Sequence, residues 1–434
     1  MRVALVGSLL ALFFIQQSDA AKLAEQKCNW LHPESFENEK NPLYLTHPGK
    51  DVLQPVGHYP GQNNKKYFKF SVPYDTQILV ACPGSNRVCS KDFETISTFE
   101  RYRNLFVATC DNGEMIPHIE NPEGLKLGDL ICCSDLEFDE PKFIRSRMCE
   151  GQSDHLTLIN FGFDVLPTGH SIRVHKVESA FRFTTLLSCY DKSKKRALYS
   201  IHKYIKYNSL GVKGTGIGYQ KFDRKPFDSV FDADKDYLYT LYKDGEQSRL
   251  NRGHLTPAAD FAFFCLRNQT YFYQNVAPQL EKRNKEWGKV EESIREDYET
   301  AVVVTGTSSK ENNAKYLRTE GKYKHHVLIP DLFWKIVFIS GTEMSVYILP
   351  NTEKAEGMET FNKIFGTETA PEDGYSSTDE NIINDCRKVI PEMDRVLREI
   401  EVRETPEEFW ERITKNSFLD IKNFKKANKQ MNES

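Results

Sequence analysis

Pro278 is the residue that most constrains how this chain can fold. Lacking a backbone N–H and fixed in φ, it cannot lie inside a helix, yet from Asn284 to about Tyr298 the only breaker is Gly288. The segment Asn275-Val276-Ala277-Pro278-Gln279 must therefore end before a helix that starts near Asn284. At about 3.6 residues per turn, Asn284, Gly288, Glu291 and Arg295 fall within about 40° of one another. Trp287, Val290 and Ile294 form the neighbouring apolar stripe that docks such a helix on a core. Its polar edge aligns an amide oxygen, a carboxylate and a guanidinium, with Gly288 leaving room above the backbone. Glu292 points roughly 80° away and is the poorer candidate.

Upstream stands Leu250-Asn251-Arg252-Gly253-His254-Leu255-Thr256-Pro257-Ala258-Ala259-Asp260. Arginine can fork onto a phosphate, glycine lets a backbone pass close to a ligand, and a neutral imidazole can take a proton from water near pH 7. That is an inventory for phosphodiester hydrolysis. Either stretch alone also fits a blander account, a solvated charged face or a histidine satisfied in the structure.

Together the two stretches resemble the DNA/RNA non-specific endonuclease family, the sugar-non-specific ββα-metal nucleases. Arg252, Gly253 and His254 match its first block, and Asn275, Pro278, Gln279, Asn284, Trp287 and Glu291 its second. Val302 to Gly306, Ile329 to Lys335 and Tyr347 to Asn351 look like later family stretches, so the resemblance runs from about residue 155 to at least 352. It implies an α+β fold with a ββα-metal (His-Me finger) nuclease domain around a central antiparallel sheet. His254 is the implied general base, Asn284 the direct ligand of Mg²⁺ (Mn²⁺ as substitute), and Glu291 a carboxylate acting through metal-bound water. Arg252, Arg196 and Arg295 would stabilise phosphate charge or hold the metal-side carboxylate, giving 5′-phosphate products from DNA foremost and RNA second.

Two positions depart from the pattern. Asn251 stands where the family has Asp, which removes a charge that could orient Arg252 or metal waters. The interval from Asn284 to Trp287 is one residue short, so Glu291 is chosen by counting from Trp287 and by helical phase. The Asn251 change keeps a second reading open, a nucleic-acid-binding protein of the same fold with weak or no cleavage.

A formal net charge of −4 over 434 residues excludes a generally basic coat, so nucleic acid must be met by a local patch. The candidate is Lys192 to Lys206, six basic residues without an acid, among them Lys194, Lys195 and Arg196, interleaved with tyrosines. A lysine-guarded strand edge accounts for the same residues. Gly211 to Gly218 lacks the ending of a phosphate loop and reads as a plain loop, and the adjacent His325 and His326 would face opposite sides of a strand.

Residues 1–20 read as a cleavable secretory leader, with Arg2, an apolar run from Val3 to Ile15 and small residues before the cut after Ala20. No later segment reaches membrane length, and nothing forces an oligomer. Ten cysteines suit an oxidising compartment and allow up to five disulfides of unassigned pairing. Seven of them precede residue 150, in a stretch of short strands punctuated by Pro and Gly, so residues 21–150 are expected to form a small disulfide-rich β domain. The nuclease domain is expected over 151–425, closing in helices broken near Pro391 and restarted at Pro406, before a polar tail at 426–434. Sequons stand at Asn268 and Asn432.

Overall fold

The computed structural model describes the chain between residues 27 and 415 apart from connecting segments, the longest being 91–104, 166–180, 207–238 and 352–374. The expected leader, the Gly211–Gly218 loop, His325, His326, the Asn432 sequon and the tail lie outside the described residues.

The N-terminal region is β-rich, as its punctuation predicts. Lys27–Pro33, Lys66–Pro73 and Gly57–Pro60 make a three-stranded antiparallel sheet, and Leu43–Thr46, Gln77–Ala81, Leu105–Asp111 and Glu114–Pro117 a four-stranded one. Phe68, Phe70 and Val72 alternate into the core while Lys69 between them is exposed. The last hairpin turns through Asn112 (φ 49°) and Gly113 (φ 83°), the left-handed pair that matches strand twist. Trp30 stacks on Phe70 with ring centroids 5.1 Å apart. Cys28–Cys110 and Cys82–Cys132 close the unit over 82 and 50 residues, and Cys149–Cys189 ties its end to the next sheet. Cys265 and Cys386 are buried thiols, so fewer than the upper limit of five disulfides form.

Beyond it lies one eight-stranded antiparallel sheet. We label its edge strand β1 (Lys142–Ile144), then β2 (Leu156–Val165), β3 (Phe181–Asp191) and β4 (Arg196–Ile205). The strands β5 (Gln247–His254) and β6 (Val276–Leu280) form a separate antiparallel pair, joined at its outer side by Tyr239–Leu241. The main sheet resumes with β7 (Thr300–Ser308), β8 (Leu332–Ser340), β9 (Glu343–Pro350) and β10 (Tyr375–Ser377), in the spatial order β1-β2-β3-β4-β7-β8-β9-β10. Its edge strand therefore comes from before residue 150.

Four helices complete the described residues: α1 (Phe264–Gln269), α2 (Glu281–Asp297), α3 (Pro391–Glu399) and α4 (Pro406–Lys415). Alternation along β8 divides the work between the two faces of the sheet. Trp334, Ile336 and Phe338 point to the side covered by Met393 and Val396 of α3 and by Phe409, Trp410 and Ile413 of α4. Phe333 points to the other, where Leu250, Leu280 and Trp287 pack from β5, β6 and α2. Each such apolar side chain contributes about 2 kcal/mol by leaving water. Helix α4 starts where its sequence says it should: Thr405 Oγ1 accepts from Glu408 N (3.2 Å) and Thr405 N donates to Glu408 Oε2 (2.8 Å), a reciprocal cap. Asn268 and Thr270 are 3% and 0% exposed, so the first sequon offers no accessible amide.

The N-terminal unit does not stand apart. Phe261, Phe263, Cys265 and Leu266, from the connection between β5 and β6, belong to the same apolar cluster as Phe70, Tyr44 and Leu79. Phe263 stacks 6.1 Å from Phe70. Opening the 82-residue loop closed by Cys28–Cys110, with both cysteines changed to Ala, should cost about 2–5 kcal/mol. Urea unfolding followed by tryptophan fluorescence measures that loss.

Candidate active site

Strands β5 and β6 followed directly by α2 form a ββα unit, laid on the main sheet by Leu250, Leu280 and Trp287. The register pairs Leu250 with Leu280, Arg252 with Pro278 and His254 with Val276, so His254 closes β5 at the far end of the pair from the start of α2. Pro278 is tolerated because its strand is short, and α2 begins at Glu281, one turn earlier than the sequence suggests. Gly253 answers a packing need. A Cβ there would meet Gln279 Oε1 at 2.4 Å, so glycine makes room for a neighbouring side chain and not, as the sequence suggests, for a ligand.

The 21 residues between β5 and β6 are folded back by one amide. Asn275, fully buried, accepts from Thr256 N at 2.9 Å and donates to Thr256 O (2.9 Å) and Thr270 O (2.8 Å). Asn351 does the same for the entry to α2: its Oδ1 accepts from Leu280 N, and its Nδ2 donates to Pro278 O and Pro330 O. These asparagines hold backbone in place, and the site is as rigid as the two clamps make it.

His254 is half-buried, its ring edge-on to Tyr271 with centroids 4.8 Å apart. Burial pushes its pKa down to about 4, which keeps the imidazole neutral and able to accept a proton at physiological pH. The Arg252 guanidinium lies 6.0 Å over the Tyr273 ring.

Behind His254 runs a polar network that the motifs do not reveal. Asp260 accepts from His202 Nε2 at 2.8 Å and from Arg295 Nη1 at 3.0 Å. Thr256 Oγ1 lies 3.3 Å from His202 Nδ1 and 2.8 Å from Ser200 Oγ. Lys335, 1% exposed, sits 3.7 Å from Glu291 Oε1 and 5.2 Å over the Trp287 ring. Burial raises the Glu291 carboxyl to about 7 against the pull of Lys335, and burial lowers Lys335 below the ordinary lysine range. Lysine inside the apolar run Leu332-Phe333-Trp334-Lys335-Ile336-Val337 was the sequence signal for this contact, since lysine is almost never fully buried without a partner.

The predicted residues separate into two groups. His254, Arg252, Asn284, Glu291 and Arg295 all belong to the ββα unit, although Arg295 is committed to Asp260. Arg196, Lys194 and Lys195 do not join them. They form the β3–β4 turn, and Arg196 faces Glu392 of α3 at 3.6 Å, on the opposite side of the sheet. A bulge shifts the register between Cys189 and Tyr190, and strand alternation decides the face, which a run of basic residues cannot report. Arg196 thus lies on the far face of the sheet, away from the ββα unit.

The edge of α2 can be tested as a cation site. Asn284 is half-buried in the first turn, and a Cβ on Gly288 would meet nothing within 4 Å. Asn284 and Glu291 stand about 10 Å apart along the axis at the helical rise. No cluster of three or more His, Cys, Asp or Glu gathers among the described residues. One amide, one carboxylate and open space between them are too few donors for a dehydrated ion, and fit one that keeps most of its water.

Comparison with known proteins agrees with this architecture. Residues 175–374 match the family described as DNA/RNA non-specific endonuclease. This segment belongs to that family. The chain is also 23% identical over 361 residues to a salivary endonuclease of Lutzomyia longipalpis, covering 77% of this chain and 74% of the relative. A solved structure of an EndoG/EndoGI complex aligns at 18% identity over 38% of this chain and 71% of that one, with a TM-score of 0.25. The matched family segment spans β3 through β9, and with them His254, α2 and Lys335. Nucleases of the family use divalent metal ions.

Two outcomes follow from the burial of these groups. Lys335→Met leaves the Glu291 carboxylate without its cation and should destabilise the protein by about 3 kcal/mol in urea unfolding at pH 8. His254 titrates near 4 when folded and near 6.5 when unfolded, so the unfolded chain binds the extra proton between these values. Its contribution is present above about pH 6.5 and lost as pH falls toward 4. The stability difference between the wild type and His254→Gln should shrink over that window.

Proposed function

We propose that this protein is a secreted, Mg²⁺-dependent non-specific endonuclease, with Mn²⁺ as a substitute, that cuts DNA and secondarily RNA to 5′-phosphate products. The observation that carries the reading is the ββα unit, which holds a neutral His254 at one end of its strand pair and the Asn284–Gly288–Glu291 edge on its helix. Phosphodiester hydrolysis needs a water placed in line and charge stabilised on the phosphoryl oxygens and leaving group. The His254 imidazole takes the proton of the attacking water. Arg252, beside it on β5, is the cation for the phosphoryl oxygens. Asn284 through its amide oxygen and Glu291 through bound water would hold the cation, which supplies neutralising charge for the departing 3′ oxygen. Arg295 acts through Asp260, fixing the loop that follows His254.

Such a site meets backbone and not base edges, so little sequence preference follows. The leader-like first 20 residues, the described disulfides and the salivary relative support an extracellular role. Asn251, half-buried on β5 in register with Gln279, favours the second reading of a nucleic-acid binder with weak cleavage, because a neutral amide replaces the expected carboxylate.

Supercoiled plasmid incubated with the mature protein separates the two. The nuclease reading expects nicking with Mg²⁺, none with EDTA, and a loss of about 100-fold or more in His254→Ala. Retention of plasmid on the protein without nicking would give the site to binding alone.

A further inference from the structure

On the side of the sheet away from His254, a cavity of about 370 Å³ opens between the β3–β4 turn and α3. Its polar lining includes Lys194, Arg196 and Arg395, and its apolar lining Leu156, Leu198 and Pro391. Two acids also border it, and both are already engaged. Asp191 Oδ1 accepts from Ser193 N, Ser193 Oγ and Lys194 N, which shapes the turn. Glu392 stands 3.6 Å from Arg196 Nη2 and accepts from Ser308 Oγ at 3.3 Å. That leaves Nε and Nη1 of Arg196 and Nη1 of Arg395 buried with no hydrogen-bond partner among the described residues. A buried guanidinium N–H without an acceptor carries an unrecovered desolvation cost, which a bound anion removes.

The geometry points to a second ligand site here, for a phosphate group carried on a molecule the size of a mononucleotide. Three cations face two carboxylates that are already engaged, and two of the cations are planar forks suited to phosphoryl oxygens. The volume exceeds what a lone phosphate fills and falls within the range of small-ligand pockets. Leu156, Leu198 and Pro391 give the flat part of such a ligand an apolar wall. The site stands whether or not His254 cuts nucleic acid, because the two lie on opposite faces of the sheet.

Calorimetric titration of the full chain in EDTA, with 5′-deoxyadenylate, deoxyadenosine and inorganic phosphate as probes, tests it. The nucleotide should bind, with phosphate at least tenfold weaker and the nucleoside weaker still. Arg395→Gln and Arg196→Gln should each weaken nucleotide binding at least tenfold. Lys194→Glu, on a turn where the fold tolerates it, should also weaken binding and keep the wild-type melting temperature. The proposal is overturned if the nucleotide does not bind, if the three variants bind it as the wild type does, or if the nucleoside binds equally well. Equal affinity for inorganic phosphate would overturn the nucleotide assignment.

Discussion

A lysine ammonium inside a β-sheet is the constraint on which the site depends. Lys335 can remain there because Glu291 stands 3.7 Å away, Trp287 offers its ring face and Asp260 adds field from the other side. Those groups come from two elements, Glu291 and Trp287 from α2 and Asp260 from the connection that follows His254. The charge in β8 thus fixes the position of α2 on the sheet and of the segment following His254. Apolar packing by Trp287 and Leu280 would allow α2 to slide, whereas a buried ion pair has one good geometry. A carboxylate that titrates near 7 in this setting is held by its surroundings more than it stabilises them.

Much of this arrangement was readable in advance, for reasons that lie in local physics. Proline followed by a breaker-poor amphipathic run can do little but end a strand and begin a helix, and the 3.6-residue period put Asn284, Gly288 and Glu291 on one edge. Pro406 marked the start of α4, which Thr405 and Glu408 cap. The N-terminal alternation around Phe68 and Phe70 marked a sheet.

What escaped the sequence was long-range. Arg196 belongs to a run of basic residues whose side of the sheet is set by a bulge at Leu198 in its own strand. His202 pairs with Asp260 across 58 residues, and no window of sequence contains both. Asn275 was visible as a motif position, but its work as a backbone clamp shows only when Thr256 and Thr270 are brought together. Disulfide pairing depends on geometry that the sequence does not carry: Cys265 and Cys386 lie in different apolar clusters and stay thiols.

The loop between His254 and Asn275 serves two masters. Its polar side carries Asp260 toward Arg295 and His202, while Phe261, Phe263 and Leu266 are seated among the aromatic rings of the N-terminal sheets. The N-terminal unit is therefore built in like a keystone and not strung on like a bead. Its removal would bare a phenylalanine-rich face on the loop that follows His254, so a chain of this design can gain or lose its accessory unit only by rebuilding that loop.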